Sequence, residues 1–271
     1  MKKKLDIIVA NPAGNITIMV LTPVLRKDYK TVAQKLLQLE GLNGEQVAFL
    51  LPGNEKNTFS KMEMCGLEFC GNASRAFALH KARCHKPPLR KLEVAVSGFP
   101  EPLTARIDPE AGYVEMDMPV PTELRSFSGK ELSLNRDGIL VSIDGISHLV
   151  LEDVAPVAET FEMLKDFIYK NYDPGLPAFG VMFCDTVNQL MTPVVYVKDV
   201  DTTYFEGSCA SGTVAASCAM ADSLPDGRHR FILQQPEGTL HTTVIKKKNQ
   251  IEKITLGGVI ALSDVVSVTL P

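Results

Sequence analysis

The chain has 271 residues, 45% of them hydrophobic and 22% charged, ordinary values for a globular protein that argue against disorder. That length allows one large domain or two of roughly 130 residues, each with its own core. A formal net charge of -4 argues against nucleic acid and anionic membranes as partners.

Along the chain, "LDIIVANPAGNITIMVLT" reads as two strands, Leu5–Ala10 and Asn15–Thr22, joined by a turn at Asn11-Pro12-Ala13-Gly14. The same polar residues, with Asp6, break the apolar stretch a secretory leader needs. No run approaches 18 apolar residues either, so a cytoplasmic protein with reduced cysteines is expected. "YKTVAQKLLQLE" places Val32, Leu36, Leu37 and Leu39 on one helical face, with Asp28 as N-cap and Gly41 as stop. A strand, "EQVAFLLP", follows, then a helix led by Cys70, then the strands "LEVAVSG", "LTARID" and "GYVEMDM".

"MPVPTE" (Met118 to Glu123) reads as a domain junction. Beyond it come strands "GILVSID" and "SHLVLED", a helix over "VAETFEMLKDFIYKNY", and strands "AFGVMFCD" and "PVVYVKDV". That helix carries the stripe Phe161, Leu164, Phe167 and Ile168. A segment led by Cys209 and four further strands complete the chain: "RFILQQP", "TLHTTVI", "KITLGGVI" and "VVSVTL". The basic runs Lys2-Lys3-Lys4 and Lys246-Lys247-Lys248 read as solvated surface, the second in a hairpin turn.

Each half therefore holds many short strands, one amphipathic helix and one small-residue helix led by cysteine, the pattern of an internal duplication. "FCGNASRAFAL" and "SCASGTVAASCAM" are small or apolar on almost every face, which marks buried helices. A thiol at a helix N-terminus meets backbone N–H groups and the positive end of the dipole, which favours thiolate. Under approximate two-fold symmetry, Cys70 and Cys209 would face one another across an interdomain cleft rich in N–H donors suited to a carboxylate. A thiolate on one side and a thiol on the other can take a proton from one face of a carbon and return one to the other.

Other readings remain beside this one. Cys65, Cys70, His80, Cys84 and His85 cluster in sequence as a zinc site would, although without Cys-x-x-Cys spacing. Two facing thiols also suit a redox switch. Cys65, Cys84, Cys184 and Cys218 read as structural, and His148, His229 and His241 as ordinary. Asn15 and Asn72 fit turn and helix-start roles, Gln46 a structural one, and Glu206 a solvated strand end. No phosphate loop, dinucleotide fingerprint or serine-triad motif is present.

"FCGNA" (Phe69 to Ala73), "SCASGT" (Ser208 to Thr213), "GNITI" (Gly14 to Ile18), "EQV" (Glu45 to Val47) and Glu206 together resemble the diaminopimelate epimerase family of cofactor-independent amino-acid racemases. The resemblance covers essentially the whole chain. It implies an α+β fold of two pseudo-symmetric domains, each a β-roll or barrel around a central helix. The domains would be 1–118 with 263–271, carrying Cys70, and 119–262, carrying Cys209. It also implies Cys70 and Cys209 as the acid/base pair. Asn15, Gln46, Gly71, Asn72, Ala210, Ser211 and Gly212 would line the substrate site, with Glu206 near the α-amino group.

The expected partner is a small amino acid, and the expected assembly a homodimer without cofactor, metal, nucleic acid or membrane. "FEGSC" lacks the arginine such epimerases carry before the second cysteine, and Ala73 and Ala210 replace glycines. The wording "NPAGNITIMV", "LEFCGNA", "FEGSCASGT" and "QQPEG" is nearer to the histidine racemases of staphylopine-type metallophore pathways. The resemblance thus implies histidine racemisation. The alternatives are diaminopimelate epimerisation from LL to meso, or a non-enzymatic thiol or zinc-binding protein. A related phenazine-type isomerase would not use paired cysteines.

Overall fold

Runs of consecutive apolar residues, rather than alternating ones, mark the first strands, because the sheet they build is covered on both faces. The computed structural model describes residues 3–54, 58–143, 145–198 and 201–270 and is a sheet-dominated α+β protein. Lys2, Asp144, Asp199, Val200 and Pro271, which fall in expected elements, lie outside the described residues. The chain divides into two compact units, Met1–Asp117 with Gly257–Pro271, and Met118–Leu256.

The first unit contains β1 (Lys3–Asn11), β2 (Thr17–Val20), α1 (Tyr29–Leu37), β3 (Gln46–Pro52), β4 (Phe59–Met64), α2 (Gly71–Arg83), β5 (Lys91–Val96), β6 (Leu103–Asp108) and β7 (Tyr113–Met118). β1 runs antiparallel to β2, β2 parallel to β3, β3 antiparallel to β4, and β4 parallel to β5. Side chains alternate across the sheet. Leu5, Ile7, Ile18, Val20, Val47 and Phe49 pack with Tyr29, Val32, Ala33 and Leu36 of α1. Ile8, Ala10, Met19, Ala48 and Leu50 pack with Ala73, Ala76, Phe77 and Leu79 of α2.

Helix α1 starts at Tyr29 with Asp28 in the N-cap position, as expected. Asp28, however, has helical backbone at the end of a 3-10 turn and makes no side-chain cap hydrogen bond, and the helix stops at Leu37, well before Gly41. Leu37 is exposed, because the buried stripe is Tyr29, Val32, Ala33 and Leu36.

The second unit contains β8 (Glu123–Phe127), α3 (Gly129–Leu132), β9 (Gly138–Ile143), β10 (Ile146–Glu152), α4 (Ala158–Asn171), β11 (Ala178–Asp185), β12 (Leu190–Val197), β13 (Thr202–Phe205), α5 (Ala210–Asp222), β14 (Gly227–Gln235), β15 (Gly238–Lys247) and β16 (Gln250–Val259). The chain then returns to the first unit with β17 (Ala261–Leu262) and β18 (Val266–Leu270), both antiparallel to β1.

The pairings repeat the order of the first unit. β9 is antiparallel to β10, β10 parallel to β11 across α4, β11 antiparallel to β12, and β12 parallel to β14. Leu149, Leu151, Phe179, Val181 and Phe183 pack with Phe161, Leu164 and Ile168 of α4. Of the alternate residues on these strands, His148 and Met182 meet α5 instead, and Gly180 lies against the His148 ring.

One surface expectation is overturned. Lys246 is buried, and its Nζ donates to the carbonyls of Ala221 (3.3 Å), Asp222 and Leu224 (2.9 Å) at the C-terminal end of α5. A lysine there satisfies carbonyls that the helix leaves unpaired and meets the negative end of its dipole. The turn itself is made by Lys248 and Asn249, both at positive φ, whose N–H groups donate to Asp226.

Candidate active site

Cys70 is the N-cap of α2: its backbone is extended (φ -132°, ψ 109°), and its sulfur accepts the N–H of Ala73 at 3.5 Å. The Gln46 side-chain amide also donates to this sulfur, at 3.3 Å, because β3 begins at Gln46 and sits in register with Thr17 of β2. Its second hydrogen goes to Thr17 Oγ1 at 2.8 Å, and the Thr17 hydroxyl donates to the Asn15 carbonyl at 3.2 Å. Asn15 ends a turn of three left-handed residues (Ala13 φ 71°, Gly14 φ 87°, Asn15 φ 59°), closed by the Gly14 N–H on Asn11 Oδ1 at 2.8 Å.

Asn72, fully buried, accepts from Arg75 Nη2 at 2.9 Å. Arg75 is itself fully buried, and its Nε and Nη1 have no hydrogen-bond partner among the described residues. Burial pushes its pKa down to about 10, against the pull of Tyr113 and Cys70. A guanidinium so placed attracts a negative sulfur at Cys70. The approach to the helix is tied down by Ser97, which donates to the Glu68 carbonyl at 2.8 Å and accepts the Met64 N–H at 2.9 Å.

Cys209 repeats the arrangement in the second unit. It is the N-cap of α5 (φ -123°, ψ 113°), and its sulfur accepts the Gly212 N–H at 3.4 Å. The Ser211 hydroxyl lies 3.6 Å from the same sulfur and 2.9 Å from His148 Nε2. Gln235 clamps the cap, since its Oε1 accepts the Cys209 N–H at 2.8 Å while its Nε2 donates to Thr213 Oγ1 at 3.0 Å. The Thr213 hydroxyl in turn donates to the Cys209 carbonyl at 2.6 Å. A Cβ at Gly212 would stand 2.1 Å from Met182 Sδ, so any larger residue there would have to displace that side chain.

Burial pushes the Cys209 thiol well above its ordinary range, and the neighbouring Glu206 carboxylate pushes the same way, while Ser211 and the Gly212 N–H pull back. Glu206 is therefore set beside the sulfur, and the solvated strand-end reading does not hold.

The expected site residues thus fall into two local groups. Asn15, Gln46, Gly71 and Asn72 surround Cys70, and Glu206, Ala210, Ser211 and Gly212 surround Cys209. His148, read as ordinary from the sequence, and Gln235, Thr17 and Arg75, not singled out there, belong to these groups as well. Cys184 and Cys218 are buried thiols pushed up to about 12 by burial. His80 lies 3.7 Å from Cys84, but no group of three His, Cys, Asp or Glu among the described residues is arranged to hold a metal ion. None of the helices among the described residues is long and apolar enough to cross a membrane.

Residues 4–266 match a family model described as the histidine racemase CntK N-terminal domain. A histidine racemase from Fusobacterium nucleatum is 34% identical over 219 residues, covering 78% of this chain and 79% of that protein. One from Staphylococcus aureus is 26% identical over 242 residues, 86% of each chain.

Two solved structures share the fold at 14% identity. A predicted epimerase from Pseudomonas aeruginosa has a TM-score of 0.67 and covers 98% of this chain and 99% of that one. A hydroxyproline epimerase from Agrobacterium vitis, solved with trans-4-hydroxy-L-proline, has a TM-score of 0.65 and covers 99% and 92%. With two cysteine-capped helices in a racemase fold, a family model spanning nearly the whole chain and a relative one-third identical over most of its length, the chain belongs to the histidine racemase family.

Proposed function

We propose that this protein interconverts L- and D-histidine without a bound cofactor, using Cys70 and Cys209 as its two bases. The observation that carries the reading is the recurrence of one device: each thiol caps a buried helix of small residues, and each sulfur accepts the N–H three residues on. The first-turn N–H groups at Gly71 and Asn72, and at Ala210 and Ser211, suit the substrate carboxylate, whose charge grows as the α-proton leaves. Glu206 suits the α-amino group.

The surroundings of the two sulfurs supply the order of events. Cys70, with two N–H donors and the attraction of Arg75, starts as thiolate and removes the α-proton. Cys209, beside Glu206, starts as thiol and gives its proton to the opposite face of the carbanion. The cycle leaves Cys70 as thiol and Cys209 as thiolate, ready for the other enantiomer. The two units are read as duplicated halves, each a roll of strands about its cysteine-capped helix, and the assembly as a cytoplasmic homodimer. The repeated order of strand pairings supports the duplication.

The test is incubation with L-histidine or diaminopimelate in D₂O under reducing conditions, following loss of the Cα–H signal by NMR and enantiomers by chiral chromatography. D-Histidine carrying deuterium is the expected product, and either Cys70→Ser or Cys209→Ser abolishes its formation. Turnover of diaminopimelate alone would refute the substrate, and near-full turnover by either single variant would refute the two-base mechanism.

A further inference from the structure

The strand pairings of the second unit line side chains up in rows, because residues directly opposite one another share a face of the sheet. One row runs His148, Gly180, Val195, Tyr204 across β10, β11, β12 and β13. The next holds Met182 and Pro193, and Glu206 extends it, since its N–H donates to the Pro193 carbonyl at 3.0 Å. The tip of α5 lies over these two rows: Ser211 meets His148 at 2.9 Å, and Gly212 packs against Met182. Tyr204 therefore stands on the sheet face that carries Cys209, one row from Glu206. Its neighbour Phe205 is opposite Val194, which packs toward α4, and so occupies the other face.

Tyr204 is 46% exposed although Val195, directly opposite it, is buried, and no hydrogen bond or ring contact among the described residues engages its side chain. With the substrate carboxylate on the α5 tip and the α-amino group at Glu206, the side chain is left to find its contacts on the rest of this face. Tyr204 is an open aromatic there. We propose that Tyr204 is a specificity-determining residue that touches the substrate: its ring is the platform on which the imidazole of histidine lies. The match is chemical as well as spatial. A phenol face takes a neutral imidazole in an offset stack and attracts a protonated one as a cation. An aliphatic side chain of similar length offers no ring to stack.

The inference rests on the histidine reading, and its test separates the two. Tyr204→Ala is expected to raise the KM for L-histidine about tenfold with kcat nearly unchanged, since an aromatic contact of this kind is worth about that factor in affinity. Tyr204→Phe, which keeps the ring, restores most of it. Should alanine loosen the edge strand, Tyr204→Thr keeps a β-forming residue there and gives the same rise. Phe205→Ala removes a neighbouring ring of 55% exposure from the other face and leaves KM unchanged. Histidine binding to Cys70→Ser/Cys209→Ser protein, followed by isothermal titration calorimetry, reads the contact without turnover, and adding Tyr204→Ala weakens Kd about tenfold. An unchanged KM in Tyr204→Ala, or an equal rise in Phe205→Ala, overturns the platform. So does an unchanged KM with an altered oligomeric state in sedimentation, which would make the ring an interface contact. Histidine that binds without being racemised, and binds more weakly in Tyr204→Ala, upholds the platform and overturns the reaction. Failure of histidine to bind at all overturns both.

Discussion

Replacing Gln235 with methionine tests how the second cysteine is held. Methionine keeps the length and nearly the volume of glutamine, so little cavity forms. What disappears is the acceptor for the Cys209 N–H at 2.8 Å and the donor to Thr213 at 3.0 Å, both buried. An orphaned buried N–H costs about 1–3 kcal/mol, and the lost bond to Thr213 adds about 1 kcal/mol. The sum, about 2–4 kcal/mol, corresponds to a fall in Tm of roughly 5–15 °C for a chain of this size.

The cap itself is also freed, since Gln235 is bonded to the Cys209 N–H and, through Thr213, to its carbonyl. A misplaced reacting group costs up to about a hundredfold in rate, so kcat should fall at least tenfold even where the protein stays folded. Urea denaturation followed by circular dichroism gives the stability, and chiral chromatography the rate. Thr213→Val removes the partner hydroxyl, and a double-mutant cycle should show strong coupling between the two positions. A stability loss under about 0.5 kcal/mol together with unchanged kcat would refute the clamp, because surface-like substitutions stay within that range.

Three further expectations follow from single contacts. Gly98→Ala places a Cβ 2.1 Å from the Phe69 backbone nitrogen at φ 71°, so it should cost about 2–4 kcal/mol in urea denaturation and slow turnover by disturbing the approach to Cys70. Lys246→Met leaves the last carbonyls of α5 without their ammonium, a loss of about 1–3 kcal/mol, whereas Lys247→Met, with its side chain 63% exposed, should change stability by less than about 0.5 kcal/mol. Glu63, whose side chain is buried, is held below the usual carboxylate range chiefly by the Arg26 hydrogen bond. Its contribution is complete above its unfolded-state value of 4.5 and is lost as the pH falls through the depressed folded value. Urea midpoints measured from pH 7 to pH 3 should therefore fall less steeply in Glu63→Gln than in the parent, and parallel curves would show that the carboxylate contributes nothing.

Where a structural decision is local, the sequence carries it. A cysteine followed by small residues shows its place as a helix cap because the cap is settled within three or four positions: Cys70 with Ala73, Cys209 with Gly212. The strands β1, β3 and β11 could be read from their apolar runs for the same reason. What escaped was short or polar. β13 is four residues with two of them exposed, and β8 begins directly after the prolines of "MPVPTE", where turn chemistry masks a strand. Nothing within the run of three lysines distinguishes Lys246, and only the pleat of β15 turns it inward to the end of α5.

The groups around each thiol follow the same division. Gln46 reaches Cys70 through the register of β2 against β3, and Gln235 reaches Cys209 from 26 positions away, so nothing near either cysteine announces them. His148 is the instructive case, because its sequence carries a readable signal. In "ISHLVLE" both faces of the strand are apolar, so a histidine there is buried whichever way it points. A buried imidazole needs a hydrogen-bond partner. The face it shares, opposite that of Leu149 and Leu151, is the one turned to the cysteine-capped helix. A polar residue in a strand with no wet face is therefore a pointer to whatever lies beyond that face, and here what lies beyond is Ser211, with Cys209 next to it.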